Sequence, residues 1–169
     1  MIRLIWLFSF LSLTASCGGL EDQNEPHHEN FEKRTVELNT LDSLESGKSY
    51  LPVHSRIESH PEYKTHYLTI TANIRNVSTK DTVYITKAQY LDTYSKTIQS
   101  YIENPIYVAP METIKIVIHN SNQEEHKGSN FIFDWRTRTN SIEPFFEGVM
   151  ISTYGAQGLS ITTEGKRIE

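Results

Sequence analysis

His66-Tyr67-Leu68-Thr69-Ile70-Thr71-Ala72-Asn73-Ile74-Arg75-Asn76 decides the fold class. Leu68, Ile70, Ala72 and Ile74 fall on one phase of a two-residue repeat, and Thr69, Thr71, Asn73 and Arg75 on the other. Successive side chains of an extended strand point to opposite faces, so the segment reads as a strand with one buried and one solvated face. Asn76–Asp81 (NVSTKD) is a turn that ends it.

The same pattern spreads in both directions. Upstream, Tyr50–Ile57 sets Leu51, Val53 and Ile57 on one face, and Pro52, which has no N–H, marks it as an edge strand. Downstream, Thr82–Leu91 begins in one phase with Val83 and Ile85 and continues in the other with Ala88 and Tyr90. One extra residue reverses the face of everything after it, which predicts a β-bulge near Thr86–Lys87. Asp92–Lys96 turns the chain into Thr97–Glu103; Ile106–Val108 is short, and Glu112–His119 alternates with Ile114, Ile116 and Ile118 inward. Ser129–Thr137 carries Phe131, Phe133 and Trp135 on one face, and the size of the indole places Trp135 at the centre of the core. Phe145–Thr153, apolar on both phases, reads as a central strand in which Gly148 marks a close backbone approach. Tyr154–Gly158 turns the chain into Leu159–Thr163. Seven or eight short strands at regular spacing, and no long helix, predict an all-β domain over residues 48–169. The architecture expected is an immunoglobulin-like or fibronectin-type-III-like antiparallel β-sandwich.

The front of the chain obeys different rules. Met1–Ser16 has a positive charge at Arg3, an apolar run from Leu4 to Leu13 and then small residues, the three parts of a secretory signal peptide. That run is about ten residues, against roughly 20 for a spanning helix. Leu13-Thr14-Ala15-Ser16-Cys17 resembles a bacterial lipobox, in which the cysteine is acylated and becomes the new amino terminus. Thr14 stands where Leu is usual. Cys17 is the single cysteine of the chain, so the domain is expected to fold without disulfides. From Gly18 to Gly47, acidic and polar residues around Pro26 read as a flexible acidic tether, so residues 17–47 form a lipidated linker. Val36, Leu38, Leu41 and Leu44 suggest a short helix or strand within it.

At 169 residues and a net charge of −5, the chain is one domain's worth of sequence with no field for gathering phosphates, which excludes nucleic acid as a partner. The partners expected are the membrane, through the lipid anchor, and an envelope protein or glycan. The location expected is the bacterial cell envelope, with the outer membrane favoured over the inner.

Tyr50-Leu51-Pro52-Val53, Ile74-Arg75-Asn76, Tyr90 and Asp92, Asn130-Phe131-Ile132 with Trp135-Arg136, Glu143-Pro144, Val149-Met150-Ile151 and Gln157-Gly158 carry a likeness to a known family. Through them residues 47–168 resemble the bacterial lipoprotein domains of unknown function numbered 3124 in that series. The resemblance implies a lipoprotein context and an all-β domain; it implies no activity.

Candidate chemistry is sparse. His60 and His66 flank one loop and His119 and His126 another, with Glu124 and Glu125 between the latter pair, and such loops could meet at one end of a sandwich. No H-E-x-x-H, paired-cysteine, G-x-S-x-G or glycine-rich phosphate motif accompanies them, so neither a cofactor nor a catalytic set is expected. Asp134 and Glu147 are the carboxylate pair to compare with glycosidases, with Arg136 the expected ion partner. Tyr84, Tyr90, Tyr94, Tyr101 and Tyr107 would suggest glycan or peptide binding if they lined one exposed strip. The face carrying Asn130, Asp134 and Arg136 is the binding patch to which the sequence points. The function expected is a membrane-anchored envelope lipoprotein acting as a binding or assembly module rather than an enzyme. The alternative is an envelope metal-binding protein or enzyme using the loop histidines.

Overall fold

The computed structural model of the chain describes residues 29–38, 43–59, 64–119, 127–154 and 157–169. They form twelve strands: β1 (Leu44–Pro52), β2 (Arg56–Ser59), β3 (Lys64–Tyr67), β4 (Thr69–Arg75), β5 (Val83–Asp92), β6 (Thr97–Ile102), β7 (Ile106–Val108), β8 (Thr113–Ile118), β9 (Gly128–Arg138), β10 (Phe145–Tyr154), β11 (Gln157–Glu164) and β12 (Lys166–Arg167). One sheet runs β12-β1-β9-β5-β6, with β7 also on β5; the second runs β11-β10-β4-β8; β2 and β3 form a small hairpin. Every pairing is antiparallel.

The two main sheets close over one core, as the alternation predicts. Leu68, Ile70, Ala72 and Ile74 are all buried, and Ile114, Ile116 and Ile118 of the neighbouring β8 stand beside them on the same face of the sheet. Across the gap, Phe133 of β9 stacks on Phe146 of β10 at 4.4 Å between ring centroids, and the aromatic line continues through Phe131 to Tyr90. Offset rings at such distances add to what their buried area contributes. The predicted bulge is present: the β5–β9 register shifts between Ile85 and Lys87, so Val83, Ile85, Ala88 and Tyr90 all reach the core.

Several expectations are corrected. Twelve strands replace seven or eight among the described residues, because Tyr50–Ile57 breaks at Val53–Ser55 and Leu68 separates β3 from β4. The strand holding Pro52 is no simple edge. β1 pairs β9 along its whole length and β12 at Ser49 and Tyr50, and Pro52 comes after that second partner has ended. Trp135 is fully buried in the core, on the same face of β9 as Phe131 and Phe133. Its indole N–H donates to Ser49 Oγ at 3.0 Å, and the Arg167 guanidinium lies 5.2 Å over the ring while pairing with Glu45 and Glu143.

The segment read as tether also enters the fold. β1 starts at Leu44, and Gly47 is buried beneath Trp135. Phe31–Arg34 makes one 3₁₀ turn whose Phe31 packs on the core. Thr35 then bridges to Ile106, and Val36 N–H donates to Pro105 O at 2.9 Å. Leu41 lies outside the described residues, as do Cys17 and the leader.

Candidate functional site

Asn130, Asp134 and Arg136 all stand on β9 on the face away from the core, but the register separates them. Asn130 lies opposite Pro52 and Leu91, Asp134 opposite Lys48 and Lys87, and Arg136 opposite Ser46 and Tyr84. Asn130 is about 13 Å along the strand from Asp134, and its amide donates to the neighbouring Ser129 Oγ. The ion partner of Asp134 is not Arg136 but Lys48, whose Nζ lies 4.0 Å from Oδ1. Lys48 binds Glu169 more closely, at 2.8 Å, and that hydrogen bond holds its ammonium above the usual lysine range. Asp134, Arg136, Lys48, Glu169 and Thr86 surround a shallow depression of about 300 Å³. Two of the three predicted patch residues therefore meet, with two partners the sequence did not flag.

The carboxylate pair is not assembled. Asp134 belongs to the six-stranded sheet and Glu147 to the four-stranded one, where Arg75 lies 2.7 Å and the Asn73 amide 3.0 Å from Glu147 Oε2. The Arg75 hydrogen bond, helped by Asn73 and opposed by partial burial, pulls the Glu147 carboxyl below its ordinary range. At Glu112, burial pushes the carboxyl up, but the Arg34 guanidinium and the Ala109 N–H together bring it down. The tyrosines do not line one strip either: Tyr90 is buried, Tyr84 and Tyr101 are half-buried, and Tyr94 is 90% exposed.

A second cleft lies where β1 and β5 end and β9 begins. Its volume is about 370 Å³, and its lining includes His54, Arg56, Asp92, Tyr94, Lys127 and Ser129. Local chemistry builds it. After Pro52 the chain leaves the sheet through Val53–Ser55 and starts the separate β2–β3 hairpin at Arg56. Asp92 Oδ1 accepts the N–H groups of Tyr94 and Lys96 at 2.8 and 2.9 Å, an Asx-type turn that leaves the Tyr94 ring outside. Opposite Asp92 stands Gly128, where a Cβ would lie 1.8 Å from the Tyr90 ring, so the floor closes only with glycine there. The sequence named Tyr94 only as one of five tyrosines and did not single out Arg56 or Lys127; the three come from the start of β2, the β5–β6 turn and the residue before β9.

The histidine loops meet in part. His54, His66 and His119 lie at this same end of the sandwich, while His60 and His126 fall outside the described residues. Among the described residues no group of three or more His, Cys, Asp or Glu is placed to hold a metal ion, and no helix is long and apolar enough to cross a membrane.

No curated protein matches the chain. Among solved structures, the crystal structure of Thermotoga maritima 1070 is similar at a TM-score of 0.43 and 12% identity, covering 71% of this chain and 92% of that one. Residues 46–168 match the family model described as a protein of unknown function, DUF3124. That match takes in β2 to β12 and nearly all of β1, and the chain belongs to the DUF3124 family.

Proposed function

We propose that the chain is a lipid-anchored protein of the bacterial cell envelope whose β-sandwich is a binding module. The observation that carries this reading is the apolar leader running through small residues into the single cysteine, Cys17. Several acyl chains at about 0.8 kcal/mol per buried CH₂ make a stable anchor. Acidic residues soon after the cysteine, Glu21, Asp22 and Glu25, favour the outer membrane.

The geometry of the domain supports a binding role. The segment arriving from the anchor docks at one end: Glu29 and Glu112 both pair with Arg34, and Thr35 meets Ile106 beside the start of β5. The cleft lies at the other end, beside Asp92, where β5 finishes. Ile106 stands opposite Ile85, and the seven residues from there to Asp92 span about 23 Å. An anchored domain of this shape holds its cleft away from the bilayer.

The anchor is tested by metabolic labelling with palmitate. Wild-type chain is expected to incorporate the label and sediment with membranes, and Cys17→Ser to lose both. Unlabelled wild type in a host that labels its other lipoproteins would end the proposal.

A further inference from the structure

The cleft beside Asp92 gathers positive charge in a chain of net charge −5. Elsewhere among the described residues five cations are paired with carboxylates: Arg34 with Glu29 and Glu112, Arg75 with Glu147, Arg138 with Asp81, Arg167 with Glu45 and Glu143, and Lys48 with Glu169; the unpaired ones, such as Lys87 and Lys115, stand apart from one another on outer faces. Arg56 and Lys127 are both exposed, flank the same cleft and form no ion pair among the described residues. The carboxylate in the cleft, Asp92, is turned to the backbone N–H groups of its own hairpin. The cations are thus left for something from outside.

The rest of the lining narrows what that is. Tyr94, 90% exposed on a turn fixed by Asp92, presents a ring face that solvent alone does not favour. Thr93, Ser129 and His54 add hydroxyl and imidazole groups around it. A cleft of about 370 Å³ is at the small end of ligand sites. A ring for the apolar face of a pyranose, hydroxyls for its hydroxyls and two cations for a carboxylate make a consistent set.

We propose that this cleft binds an acidic saccharide, a sugar bearing a ring carboxylate, with Arg56 and Lys127 on the carboxylate and Tyr94 stacked on the sugar. This deepens the binding-module reading and names its ligand class. It does not depend on lipidation, so its failure and the failure of palmitate labelling are separate results.

The test titrates the full chain, purified in detergent, with trigalacturonic acid and with its methyl-esterified, neutral counterpart. The acid is expected to bind saturably and the ester at least about tenfold more weakly, since charge-assisted hydrogen bonds exceed neutral ones by that order. Arg56→Gln and Lys127→Gln should each weaken the acid by about tenfold, and Tyr94→Ala by a similar factor. Lys115→Gln makes the same charge change on the outer face of β8, off the cleft, and should leave the affinity unchanged. All four side chains are exposed or project from turns, so thermal midpoints should stay at the wild-type value. Absence of saturable binding, equal binding of acid and ester, or affinity indifferent to the cleft substitutions would overturn the assignment.

Discussion

Gly47 lies under the Trp135 ring, and a Cβ there would sit 2.2 Å from the indole. The ring cannot withdraw without giving up its hydrogen bond to Ser49. Gly47→Ala should therefore cost about 2 kcal/mol, the usual scale of overpacking, read as a lower urea midpoint with red-shifted Trp135 emission. Glu147 offers a test by pH. Its folded pKa is lowered by Arg75, so its contribution is present above the unfolded value near 4.5 and is lost as pH falls through the folded value. Glu147→Gln should cost about 0.5 kcal/mol at pH 7, as partly exposed pairs do, and the gap from wild type should close toward pH 3. A gap that stays constant with pH would show that the carboxylate charge is irrelevant. At this scale the burial of Phe131, Phe133 and Trp135 was legible from alternation alone. The partner of Asp134 was not. Residues two apart on one strand are about 6.6 Å apart, whereas cross-strand neighbours come within about 5.5 Å, so Lys48 of β1 reaches Asp134 and Arg136 does not.

The β5 bulge is the element on which the six-stranded sheet turns. Thr86 is the residue the β9 register skips, which lets Val83 and Ile85 share the core with Ala88 and Tyr90. Deleting Thr86 puts one of these pairs on the solvent face, and loss of the cooperative thermal transition is the expected result. The bulge could be read from sequence because a phase reversal inside one apolar run has few other causes. The strap Phe31–Arg34 could not. Its neighbours are polar, and its attachment rests on Phe31, the Thr35–Ile106 bridge and the ion pairs of Arg34. Arg34→Ala should free it: exchange at the Val36 amide, now bonded to Pro105 O, should quicken while core amides keep their protection. Equal exchange in both proteins would show that the ion pairs do not hold the strap.

At the scale of the whole molecule, the sandwich was visible because each main strand carries its own inward face, and inward faces of two sheets need each other. The cleft was invisible because Arg56, Tyr94 and Lys127 are far apart in the chain, and only the order of strands brings their loops together. With a single cysteine, the fold relies on packing alone. A reducing agent should leave the thermal midpoint of the purified chain unchanged, and a shift would reveal a cross-link between chains.

With Cys17 acylated as proposed, the docked strap would also set a leash length. If the tether ran free as far as Gly47, thirty residues would separate anchor and domain. Because Glu29 is already held by Arg34, twelve peptide units remain between Cys17 and the folded body, a contour of at most about 42 Å. In the proposed lipid-anchored form, a domain so leashed would search a thin layer above its bilayer rather than the depth of the compartment. Its ligand meets it at a high local concentration if it is fixed in that layer, and hardly at all if it is fixed beyond it.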